Sequence, residues 1–271
     1  MGVIIAVLGV FMAVLEWIKI PFSEDVWYNG LVNKILQQVC GIVAAIFFLR
    51  FLDIKLFGKV QKWVYLIPCI IVAVNNFQWW SYFKGLQTLT RTKALDIILF
   101  AVYCLCVGMF EEFVFRGVLF SVLAGYFPKN KKGFIETFVI SSLIFGAAHI
   151  FNFDFLQVGY TILTGGLFAF VLIKTKNLLC CGFIHGLYNF CGLLMEKEKL
   201  LGLGSGVVLF NLGTVLCMAI VGVLMAAFVL YCVFTYPEEE RKLLYERLGV
   251  KEKLEKAQES SEEPTSTTEN E

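Results

Sequence analysis

Apolar residues in this chain come in long runs separated by short polar stretches, with none of the residue-by-residue alternation of a half-buried strand. Crossing the hydrocarbon core of a bilayer takes roughly 20 mostly apolar residues in a helix. Eight stretches approach that requirement, near 2–18, 34–52, 63–83, 94–127, 134–150, 157–173, 178–195 and 206–236. The pattern predicts an all-α, polytopic helical membrane protein with about eight transmembrane helices. The second stretch is the weakest, because Lys34, Gln37 and Gln38 fall in its first turns. The fourth is too long for one untilted crossing; Gly108 and Gly117 offer places to bend, and Pro128 closes it. The first lacks a basic leader and an A-x-A cleavage site, which predicts a retained helix.

Beyond Pro237 the pattern changes. From Glu238 to Lys256 charges dominate, with Leu243, Leu244, Leu248 and Leu254 near helical spacing, as in an amphipathic helix lying at an interface. From Gln258 to Glu271 the chain is rich in Ser, Thr and Glu and is expected to be disordered. The organisation expected is N-terminal transmembrane helices over 1–93, a helical core over 94–195, a last transmembrane helix over 196–236, and a cytoplasmic charged helix with its tail over 237–271.

Composition agrees with the pattern: 58% of the 271 residues are hydrophobic and 17% charged, more apolar and less charged than a soluble domain. The net charge of +1 leaves no electrostatic footprint for nucleic acid. The nine cysteines lie mostly inside apolar stretches and lack zinc-ribbon spacing, so they read as lipid- or core-facing thiols. Basic residues follow the second, fourth and sixth stretches (Arg50, Lys55, Lys59 and Lys62; Lys129, Lys131 and Lys132; Lys174 and Lys176), placing those loops and both termini in the cytoplasm. Lys84, Arg91 and Lys93 fall on the opposite side. The compact length and small loops point to a bacterial plasma membrane.

Against this background the ionisable groups inside the apolar stretches stand out, since such groups are costly at membrane depth and usually mark function. Both histidines of the chain, His149 and His185, are among them, as is the cluster Glu111-Glu112-x-x-x-Arg116. Residues four apart share a helix face, so Glu112 and Arg116 can pair. Glu111 lies about 100° further round the helix and is left free to act. The alternative is one ion cluster tying helices together. Phe145 and His149 are also four apart, behind Gly146, Ala147 and Ala148, which permit close helix approach; the plainer reading of His149 is a histidine at the membrane edge. His185 and Asn189 share a face as well, and by themselves they can be a structural interhelical hydrogen bond. Gly182 and Gly186, spaced as G-x-x-x-G, make that helix smooth for packing. Taken together, a carboxylate, two imidazoles and an amide suit water activation by a general base with oxyanion stabilisation.

Three motifs in this order, each on its own apolar stretch, resemble those of the CPBP family of intramembrane endopeptidases, which includes the CAAX prenyl protease Rce1 and the bacterial Abi-type proteins: Glu111-Glu112-x-x-x-Arg116, Phe145-x-x-x-His149 and His185-x-x-x-Asn189. The resemblance spans roughly residues 94–195 and departs from the family pattern at none of these positions. It implies a glutamate-type protease in which Glu111 activates water with help from His149. His185 and Asn189 would hold the oxyanion, and Glu112, Arg116 and Phe145 would support the site. It also implies a cavity open to cytosol and bilayer, and a substrate that is a peptide or a membrane-anchored protein, lipidated in some members. No cofactor is expected.

Three other readings compete. Glu111, His149 and His185 are zinc-ligand types, although an H-E-x-x-H pair is lacking and Arg116 would bring positive charge to the metal. A non-catalytic membrane immunity or scaffold protein would bind a peptide without cutting it. A proton-coupled transporter would use Glu and His as a relay, but the chain has no convincing internal repeat of the kind many transporters show.

Overall fold

The structure, a computed structural model, describes residues 2–85, 91–150, 155–196 and 212–249. It is all-α: α1 Gly2–Trp17, α2 Val26–Phe51, α3 Leu66–Asn75, α4 Trp79–Phe83, α5 Ala94–Glu112, α6 Phe120–Tyr126, α7 Lys131–Ala147, α8 Phe155–Thr175, α9 Leu178–Leu193, α10 Leu212–Phe234 and α11 Glu238–Arg247. Among the described residues four helices are long and apolar enough to cross a membrane: Val26–Phe51, Ala94–Tyr126, Val158–Thr175 and Val215–Phe234. Shorter apolar helices cover Val3–Trp17, Trp63–Asn75 and Leu178–Leu193. The chain is a polytopic helical membrane protein.

Local chemistry sets the helix boundaries. The Asp25 side chain accepts from the N–H groups of Trp27 and Tyr28, so α2 starts at Val26 rather than near residue 34. This cap offsets the polar side chains of Lys34, Gln37 and Gln38, and Gln37 spends its amide on the Met12 carbonyl of α1 at 3.0 Å. The stretch predicted over 63–83 is not one helix. It breaks at Asn76–Gln78, where the Asn76 side chain leaves to donate to the Tyr188 carbonyl of α9 at 3.0 Å. The predicted 94–127 stretch is one continuous helical run from α5 to α6, joined by a π-helical segment, Phe113–Leu119. Asn130 and Asn177 cap α7 and α9 through their side-chain oxygens. The charged helix expected over 238–256 is seen as α11, which ends at Arg247 and is followed by Gly249 with φ +71. Leu254, the Gln258–Glu271 tail and the start of the 206–236 stretch lie outside the described residues.

Packing follows from which helices are apolar all round. In the α8 span window 72% of residues are buried, against 17% for α10, so α8 is the central helix and α10 faces outward. α7 lies along α8, and α9 touches α8, α3 and, most extensively, α5. α2 covers the other side of α5, α1 covers α2, and α10 packs on α8 and α3. The nine cysteines are all free, and Cys69, Cys104, Cys181, Cys191 and Cys232 are buried.

The α5–α9 contact is made through glycine backbones. Gly108, which its sequence position suggested as a place to bend, lies at this contact. A Cβ there would lie 2.5 Å from the Gly186 nitrogen and 2.7 Å from the Gly182 oxygen. The two helices therefore touch main chain to main chain, with no flexible side chain to move aside. Gly108→Ala is expected to push α9 off α5 and destabilise the fold by about 1–3 kcal/mol, read as a lowered thermal midpoint of the purified protein; an unchanged midpoint would refute the backbone contact.

Candidate active site

The site is assembled where α5 passes into its π-helical continuation. Phe120 N–H bonds the Phe115 carbonyl, five residues back, so the turn holding Arg116 is wider than an α-helical one. Glu112 is the last residue of α5 and Arg116 sits in the wide turn. Arg116 Nη1 donates to Glu112 Oε1 at 3.0 Å, with side-chain exposures of 1% and 0%. The other end of the guanidinium donates from Nη2 to the Gly165 carbonyl of α8 at 2.7 Å. Its Cζ lies over the Phe145 ring of α7, 4.3 Å from the ring centre. Arg116 thus ties α5, α7 and α8 together at one point. Its charge is met by a carboxylate, a carbonyl and an aromatic face.

His185 completes the cluster from α9. Its Nδ1 lies 2.8 Å from Glu112 Oε1, the same oxygen that Arg116 uses, and its Nε2 lies 3.7 Å from Glu111 Oε2. The imidazole stacks on Phe168 of α8 with ring centres 4.3 Å apart and an interplanar angle of 17°. Phe145 stands beside it, edge-on at 5.8 Å. Glu111 is the exposed member of the carboxylate pair: its side chain is 26% accessible while Glu112 is fully covered. One Glu111 oxygen, Oε2, is nevertheless buried without a hydrogen bond.

The other two residues expected at the site are less tightly engaged. His149 is half-buried just beyond the end of α7, and its Nδ1–H donates to the Phe145 carbonyl at 2.9 Å. That bond leaves Nε2 as the free, accepting nitrogen. Among the described residues no hydrogen bond or ion pair joins His149 to Glu111; the Phe145 ring, 5.1 Å from His149, lies between the two imidazoles. Asn189 is half-buried on α9, one turn beyond His185, and its amide makes no hydrogen bond to a described residue.

The structure thus brings Glu111, Glu112, Arg116, Phe145 and His185 into one connected cluster. Among the described residues no three His, Cys, Asp or Glu side chains are grouped to hold a metal ion. Glu111, His149 and His185 in particular are not gathered as a zinc set. Two participants were not singled out from the sequence: Phe168, which stacks on His185, and Gly165, whose carbonyl takes Arg116. The only sequence signal for them is the Gly165-Gly166 pair in an otherwise bulky stretch, a mark of close helix approach.

Residues 93–191 match the family described as type II CAAX prenyl endopeptidase, Rce1-like. That stretch runs from the start of α5 to the last turns of α9 and contains every residue of the cluster. No curated protein and no solved structure matches the chain significantly. With the three motifs on α5 to α9 and the family match over the same residues, this membrane protein carries a domain of the Rce1-like type II CAAX prenyl endopeptidase (CPBP) family, a family of peptidases.

Proposed function

We propose that the chain is an intramembrane glutamate-type endopeptidase that hydrolyses peptide bonds of membrane-associated peptides or proteins, with Glu111 as the base that activates water. The observation that carries this reading is the division of labour between two adjacent carboxylates. Glu112 is fully buried and committed through Oε1 to Arg116 and His185. Glu111 makes no hydrogen bond through Oε2 and its side chain is 26% accessible. Each carboxylate has one oxygen without a partner, but a base must also be reached by water, and of the two only Glu111 is accessible.

In this mechanism Glu111 takes a proton from water and the resulting hydroxide adds to the scissile carbonyl. Glu111 then returns the proton to the leaving amine. The His149 Nε2 lone pair, left free by the Nδ1–H bond to Phe145, is the second acceptor for the water. His185 and the Asn189 amide, four residues apart on α9, hold the oxyanion. His185 Nδ1 donates to Glu112 Oε1, while Nε2, 3.7 Å from Glu111 and not hydrogen-bonded to it, is the nitrogen that reaches the oxyanion. Every step uses side chains alone, and none is routed through a metal.

The chain is proposed to cross the membrane eight times, through α1, α2, the α3–α4 pair, α5 with α6, α7, α8, α9 and α10, with both termini cytoplasmic. The basic residues after the second, fourth and sixth stretches support that orientation. The short connections fit a bacterial plasma membrane. Substrates are proposed to be peptides or membrane-anchored proteins, lipidated ones among them, that reach the site from the bilayer or the cytoplasmic face.

Three substitutions test the assignment. Glu111→Gln is expected to abolish cleavage while the thermal midpoint of the protein stays at the wild-type value; turnover at the wild-type rate by this variant would sink the mechanism. Asn189→Ala is expected to slow cleavage about 10²–10³-fold, the usual loss for an oxyanion donor, measured as kcat on a reporter peptide. Glu112→Gln breaks a buried pair worth about 3–5 kcal/mol when one partner is lost. It is expected to lower the thermal midpoint as well as activity, and an unaltered midpoint would contradict the structural role of the pair.

A further inference from the structure

A second concentration of charge lies outside the cluster on α5 and α9, at the end of the helices where α11 docks. α11 is held there by its own backbone and apolar face: the Arg247 carbonyl accepts from Lys55 N–H at 2.8 Å, and Leu244 and Leu248 are buried. Beneath it, the 53–62 loop is stitched to the turn between α8 and α9. Gln61 N–H donates to the Thr175 carbonyl at 2.9 Å, Leu178 N–H to the Leu56 carbonyl at 2.8 Å, and the Asn177 amide to the Gly58 carbonyl at 2.6 Å. Lys62 and Lys176, one in each segment, both adopt left-handed backbone, with φ of 42 and 50. Such strain in residues with side chains persists only where the surroundings impose it and collects at functional sites.

The charges here do not balance. Lys62 pairs with Glu240 of α11, and Lys176 shares the same carboxylate at 3.9 Å without hydrogen-bonding to it. Lys176 is fully buried, and its ammonium has no hydrogen-bond partner. Lys174, also buried, rests its ammonium over the rings of Tyr65 and Tyr236, at 4.6 and 5.2 Å. Arg247, next to Gly58, has a buried Nη1 with no partner. The charged groups acting on Lys176 are three cations, Lys62, Lys174 and Arg247, and a single anion, Glu240. Burial, reinforced by those cations and opposed by Glu240, pushes the Lys176 amine down to about 8.

We propose that Lys62, Lys174, Lys176 and Arg247 form a binding site for a phosphate-bearing anion, either the headgroup of an anionic phospholipid or free phosphate. An unpaired buried ammonium is strongly unfavourable, and a phosphate group brings both the missing negative charge and several acceptor oxygens. The position suits it. In the orientation proposed above, on which this part of the proposal rests, the cluster lies at the cytoplasmic end of the membrane domain, where basic residues between helices bind such headgroups. Tyr65 and Tyr236 supply aromatic side chains of the kind found at membrane–water interfaces. Bound there, the anion would bridge α11, the 53–62 loop and the α8–α9 turn, making membrane composition a determinant of stability. The proposal does not depend on the chemistry assigned to Glu111.

The test uses the full-length protein in nanodiscs of phosphatidylcholine. Phosphatidylglycerol is titrated into the lipid in one arm and inorganic phosphate into the buffer in the other, and the thermal midpoint is followed. A site predicts a midpoint that rises with the logarithm of ligand. A rise with phosphatidylglycerol alone identifies the lipid headgroup; a rise with inorganic phosphate identifies the free anion. Lys176→Met and Arg247→Gln are each expected to weaken the half-saturating concentration by about tenfold, the effect of about 1.4 kcal/mol. The exposed pair Lys131→Gln/Lys132→Gln is expected to leave it unchanged, which separates a site from general attraction to a charged bilayer. If Lys176→Met does not fold, Arg247→Gln carries the comparison. No rise with either probe, or the same half-saturation in the folded variants as in the wild type, would overturn the proposal.

Discussion

Everything near α5 is organised by the need to keep the charge of Arg116 satisfied out of water. An arginine that is 1% exposed needs acceptors for its charge, and Nη1 and Nη2 both find one, while Nε has no hydrogen-bond partner. Here the acceptors come from different helices: Glu112 from its own, the Gly165 carbonyl from α8, and the Phe145 face from α7. Satisfying one guanidinium therefore fixes the relative positions of three helices. It also holds Glu112 fully covered, so that Glu111, one residue away, is the carboxylate left partly accessible. The same oxygen of Glu112 orients His185, so the imidazole on α9 is held by a second-layer contact rather than by the groups it is proposed to serve.

That arrangement needs α9 close to α5, and the glycines provide the closeness. Gly108, Gly182 and Gly186 bring two backbones into direct contact, which places His185 within 2.8 Å of a side chain on the neighbouring helix. The aromatic rings fill the remaining space. Phe168 stacks on His185, while Phe145 touches Arg116, His149 and His185 in turn. A rigid apolar frame around a few polar groups keeps their geometry narrow, which is what preorganised catalysis requires.

Much of this was legible in the chain. The all-α membrane class followed from long apolar runs, because a bilayer leaves the backbone few other options. The i,i+4 spacing of Glu112 and Arg116 is enough to anticipate their pairing, because helix geometry is local. Boundaries were harder. Capping by Asp25 extends α2 over Lys34, Gln37 and Gln38, and the departure of Asn76 toward α9 interrupts a stretch whose hydropathy runs on. That Gly108 makes a backbone contact was not legible, since a glycine's use depends on what lies opposite it.

The sequence by itself determined which residues are polar inside apolar helices and which of them share a face, since both depend only on composition and the 3.6-residue turn. Only the tertiary structure decided who meets whom between helices. It set His185 rather than His149 against the glutamates, brought in Phe168 and Gly165, and gathered Lys62, Lys174, Arg247 and Glu240 around Lys176. Those meetings depend on the distance and rotation between helices remote in the chain. These are fixed by close packing and by the requirement that buried charges be satisfied, and no local spacing encodes them.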